Sequence, residues 1–166
     1  MSIVFGSAGG QYLTGSANVT LPNADWCLFS LMKINDNTGT SRNVALSAGA
    51  ALNVNEITLG VLRLQDAGST PGSAILRVAG ASTLVYIRSE TLDAPVGQWF
   101  YLIGQRTGST IQLITLPIGG SSTLVATSTL SIGAVNPSTP MWIGRWHGDG
   151  DRTANDCKNT AIAAVG

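Results

Sequence analysis

Short runs of Val, Ile, Leu, Thr and aromatic residues recur along the whole chain, each bounded by a cluster of Gly, Pro, Asn, Asp or Ser. This rhythm constrains the fold more than any other feature, because such runs are too short for stable helices and have the composition of strands. No window of a dozen residues keeps the uninterrupted apolar spacing of an amphipathic helix. Strands are predicted near 3–5, 10–14, 18–21, 26–34, 43–48, 56–64, 73–79, 82–88, 98–106, 109–116, 122–130, 140–145 and 160–165. Thirteen short strands at this spacing imply an all-β sandwich or barrel. No repeat, linker or internal boundary breaks the 166 residues, so a single domain over 1–166 is expected.

Several turns have a mechanism. Asp36–Asn37–Thr38–Gly39 and Thr107–Gly108–Ser109 can supply the positive φ that a hairpin reversal needs. Pro137 and Pro140 bracket a loop, and Pro140 can open a strand without forfeiting a ladder donor. Along 111–116, Ile111, Leu113 and Thr115 alternate with Gln112, Ile114 and Leu116. Polar residues do not segregate there, which is the pattern of a strand covered on both faces. Trp26, Trp99 and Cys27 all sit inside strand runs and are expected in the core, with Cys27 as a small buried thiol and a Cys27–Cys157 disulfide as the alternative.

The formal net charge is zero and charged residues make up only 11%. The nine basic residues are scattered, so neither a nucleic-acid footprint nor a membrane-surface patch exists. No apolar run approaches the length that spans a bilayer. The N-terminus lacks the basic and apolar regions of a secretory signal peptide, so either one was removed or the protein reaches its destination by another route. Low charge with abundant Ser, Thr and Gly suits an extracellular or virion protein, or a surface covered by neighbours.

Four segments carry a resemblance: IVFGSAGGQYL at 3–13, DWCLFSLMK at 25–33, GQWFYLIGQRTGSTIQLI at 97–114 and PMWIGRW at 140–146. Their order resembles the concanavalin A-like lectin/glucanase superfamily, in particular its laminin-G-like domains, whose fold is a two-sheet antiparallel jelly roll. Phe5, Gly6 and Tyr12 stand where that family opens with a short strand, a Phe-x-Gly turn and an aromatic-ended strand, although the Asp usual between Phe and Gly is missing. Trp26–Lys33, Trp99–Phe100–Tyr101, Gly108, Ile111, Leu113 and Ile143–Gly144 are similar to its later motifs. Two departures matter. Thr115–Gly120 replaces the usual Asn-Gly turn, and the closing Ile162–Val165 strand is shorter than the family's. A truncated closing strand implies an open edge that a neighbouring subunit could cover.

Glucanases of this superfamily use a Glu-x-Asp-x-x-Glu strand to set two carboxylates on one face. Here the glutamates are Glu56 and Glu90, neither with a second Glu nearby, and the lone His147 stands in a polar loop with no serine elbow. A non-enzymatic protein is therefore expected. The most polar segment, RWHGDGDRTANDCK at 145–158, gathers Asp149, Asp151 and Asp156 as hard oxygen donors of the type calcium prefers. The resemblance implies calcium at the sandwich rim, whereas the residues alone favour an ordinary solvated loop in which Asp and Gly shape turns. Trp146, His147 and Asn155 beside it offer an aromatic platform and amide for a glycan, with the alternative that Trp142 and Trp146 plug the sandwich end.

The reading that follows is a virion structural module: capsid decoration, tail or fibre component. It is made in the host cytoplasm, sits at the virion surface, contacts other virion proteins or copies of itself, and has glycan adhesion as an accessory role. The alternative is an extracellular, secreted or cell-surface lectin-like domain of a larger protein.

Overall fold

The computed structural model of the protein describes residues 3–5, 12–35, 42–49, 54–62, 73–88, 96–129, 132–144 and 160–165. Twelve strands form: β1 (Ile3–Phe5), β2 (Leu13–Asn18), β3 (Trp26–Ile34), β4 (Arg42–Ala48), β5 (Glu56–Leu62), β6 (Ala74–Ala79), β7 (Leu84–Arg88), β8 (Trp99–Thr107), β9 (Thr110–Pro117), β10 (Thr123–Ser128), β11 (Pro140–Ile143) and β12 (Thr160–Val165). Sheet A runs β1-β12-β3-β8-β9-β10 and sheet B runs β2-β11-β4-β5-β6-β7. Every ladder between these strands is antiparallel. The predicted all-β, two-sheet antiparallel sandwich is what forms.

The core lies between the sheets. Leu28, Met32, Ile34, Phe100, Leu102 and Leu113 of sheet A face Leu46, Ile57, Leu59, Leu76 and Val78 of sheet B. Gly104 shows how close the sheets come: a Cβ there would stand 2.8 Å from Leu76 Cδ1, so the missing side chain makes room for the leucine. One inward position is charged. Arg106 is buried at the sandwich end, where it donates to Gly108 O (2.8 Å), Ile132 O (2.9 Å) and Asn23 Oδ1 (3.0 Å). Those bonds make a buried guanidinium tolerable.

The β8–β9 hairpin turns at Gly108 with φ +58°, as its sequence predicts, and Asp25 Oδ1 accepts the Gly108 N–H at 2.7 Å. Pro140 does open β11. The Asp36–Gly39 turn lies outside the described residues.

Three expectations fail in instructive ways. Where two runs near 10–14 and 18–21 are expected, Leu13–Asn18 form one continuous strand, β2, paired with β11, and Leu21 makes only an isolated bridge to Val135. Trp99 faces outward and is half-buried, while its neighbour Phe100 fills the core. Cys27 is an exposed, free thiol on the same outer face, not a buried one. Trp26 is in the core as predicted. The closing strand β12 lies inside sheet A between β1 and β3, its register ending at Val165–Ser30. Among the described residues, Trp26–Phe29 pair only with β8.

Candidate functional site

The six residues that sequence reasoning nominated, Trp146, His147, Asp149, Asp151, Asn155 and Asp156, all lie outside the described residues. Among the described residues, the polar chemistry collects on the outer face of sheet B. One row of directly paired residues crosses all six strands: Thr14, Trp142, Ser47, Thr58, Arg77 and Tyr86. Alternation explains it on the inner strands, because Trp142, Ser47, Thr58, Arg77 and Tyr86 each stand one residue from a core-packed position such as Ile143, Leu46, Ile57, Leu76 or Ile87.

The centre of this face is closed. Glu56, Ser47 and Thr58 are buried, and the Glu56 carboxylate is committed: Arg77 Nε lies 3.0 Å from Oε2 and Thr58 Oγ1 donates to Oε1 at 3.3 Å. Glu56 opposes Ala79 and Thr58 opposes Arg77, so the pair is a diagonal cross-strand contact. Only the β5–β6 register brings Glu56 and Arg77 together.

Aromatic residues stand on either side of that closed centre. Trp142 is half-buried on β11, not a plug at the sandwich end. Tyr86 is 42% exposed on edge strand β7, with the guanidinium carbons of Arg77 and Arg88 at 5.7 and 6.0 Å from its ring centroid. Beside Tyr86, the edges β7 and β10 border a groove of about 520 Å³ lined by Tyr86, Ile87, Arg88, Ala126, Thr127 and Ser128. Its hydroxyls, guanidinium and ring suit polar hydrogen bonding and stacking. Among its described lining residues there is no nucleophile–base pair.

The outer face of sheet A has the opposite character. Paired rows read Lys33–Trp99, Leu31–Tyr101–Leu116, Phe29–Ile103–Ile114–Leu124 and Cys27–Gln105–Gln112. Phe29 and Tyr101 pack with ring centroids 6.5 Å apart, and Gln105 Nε2 donates to Gln112 Oε1 at 2.8 Å across the polar end. A groove of about 490 Å³ opens among Leu31, Gly97, Gln98, Trp99, Ile118 and Ala163.

No protein-family model and no curated protein sequence matches the chain. Solved structures do. Domains LG4-5 of the mouse laminin alpha1 chain superpose with TM-score 0.61 at 14% identity, covering 99% of this chain and 41% of that one. The fold is a laminin-G-type, concanavalin A-like jelly roll. The LG1-3 region of the laminin alpha2 chain gives TM-score 0.63 at 10% identity over 99% of this chain and 30% of that one. The enzymatically active domain of tailspike protein 2 from bacteriophage CBA120 gives 0.61 at 14% identity over 99% and 26%. This jelly roll therefore spans less than half of each of these larger chains.

Proposed function

We propose that this chain is a non-enzymatic structural module of a virion surface, in a capsid decoration, tail or fibre, that works by docking against protein. The observation that carries this reading is the outer face of sheet A. There Leu31, Tyr101, Leu116, Phe29, Ile103 and Ile114 stand half-buried in adjacent rows, and Leu124 is 53% exposed. An antiparallel sheet facing water ordinarily presents polar residues, and a contiguous apolar patch marks an interface. The low charge of the chain fits a covered surface, and a phage tailspike is among the proteins that share the fold. Fold alone assigns no chemistry. The commitment of Glu56 to Arg77 and Thr58 argues against a catalytic carboxylate at that position.

Gradient-purified particles from the producing cells, probed with an antibody to the chain, test this. The chain should band with intact particles, and its confinement to the soluble fraction would overturn the virion reading.

A second reading, glycan binding by an adhesive lectin-like domain, is favoured by the groove beside Tyr86. A glycan array run with calcium and again with chelator tests it. Selective binding that Tyr86→Ala abolishes would place sugar at this groove. Binding lost on chelation but kept in that variant would point to the 145–158 segment.

A further inference from the structure

We infer that the outer face of sheet A is the contact surface of a two-fold dimer, its occupant being a second copy of this chain. The inference rests on the assembly reading and names its partner.

Three observations favour a second copy. The first is charge. Among the described outward residues of β3, β8, β9, β10 and β12, Lys33 is the one charged side chain, at one end of the face. The chain's formal net charge is zero, so two copies approach without repulsion. A face without a basic cluster also has little to offer a lipid headgroup or an acidic partner.

The second is area. Five strands about 4.8 Å apart, over rows spanning about 20 Å, give roughly 500 Å² of flat surface before side-chain relief. A standard stable interface takes about 800 Å² of accessible surface from each partner, the same order once relief is counted. The patch holds the residue types that anchor interfaces, Trp99, Tyr101 and Phe29, with the Gln105–Gln112 pair forming a polar rim.

The third is shape. On the β10 side of the face Leu124 stands 53% exposed, and towards the β12 side a groove opens among Leu31, Trp99 and Ala163. A two-fold axis parallel to β8 lays the Leu124 side of each copy over the groove side of the other. That is the self-complementarity an isologous contact requires.

Sedimentation velocity over a hundred-fold concentration range, from micromolar upward, tests the inference on the whole chain. The wild type should dimerise with a Kd of about 10 μM or tighter. Tyr101→Lys should weaken dimerisation by at least about 100-fold while keeping the circular dichroism spectrum of the wild type. Ile114→Lys, in a different row, should do the same and covers the case in which one variant misfolds. Thr107→Lys, at the exposed hairpin tip, should leave the dimer intact.

A wild type that stays monomeric at the highest concentration overturns the inference, as does a dimer that both lysine variants leave unchanged. The two proposals fail separately. A monomer that still bands with particles would leave the assembly reading standing with another partner. A dimer missing from particles would keep this interface and remove the virion role.

Discussion

The outer faces of the two sheets treat polarity in opposite ways. Sheet B keeps Ser47, Glu56 and Thr58 out of solvent, whereas sheet A leaves Phe29, Leu31, Tyr101, Ile114 and Leu116 half-exposed. Each arrangement makes a physical demand. A buried carboxylate must be paired, and Glu56 is, by Arg77 and Thr58. An apolar face in water can be relieved only by cover from outside the sheet. A polar outer face therefore need not be an open site, and an apolar outer face need not be core.

Substitutions can break or sharpen this contrast. The largest effect is expected inside the sandwich, where Phe100→Ala should cost about 3–5 kcal/mol in urea unfolding. A smaller loss would mean that β8 does not divide core from surface as described. Glu56→Ala should cost about 3 kcal/mol, because it strands Arg77 in a largely buried setting. A loss under about 1 kcal/mol would show that water reaches this face, and the closed centre would then be open. Gly104→Val should cost about 2 kcal/mol by driving a side chain into the fully buried Leu76. Unchanged stability there would place the sheets further apart. The smallest effect belongs to Trp99→Ala, at about 1 kcal/mol or less, measured at a concentration that keeps the chain monomeric. If it matched Phe100→Ala, both sides of β8 would be equally buried within one copy and the contrast would disappear.

Trp99 and Phe100 also show why part of the architecture was not legible in the chain. Adjacent strand residues point to opposite faces, and both are large and apolar, so alternation gives no sign of which is inside. Pairing settles it: Met32 opposes Phe100 and Lys33 opposes Trp99, and Met32 is core. The Ile111–Leu116 run carried the better clue, since apolar residues on both of its faces anticipated an outer surface needing cover. The Glu56–Arg77 contact spans two strands and left no local mark.

The order of short apolar runs and turn residues was enough to determine an all-β sandwich or barrel, because strand length, period and turn chemistry are local properties of neighbouring residues, and the resemblance of the motif order implied the two-sheet jelly roll. It also located the Gly108 hairpin and the Pro140 strand start. Tertiary structure alone decided which side of each doubly apolar strand faces the core, which carboxylate meets which guanidinium, and which sheet presents an apolar surface outward. Those outcomes depend on register between strands distant in sequence, and a shift of one residue would exchange every side chain between the two faces.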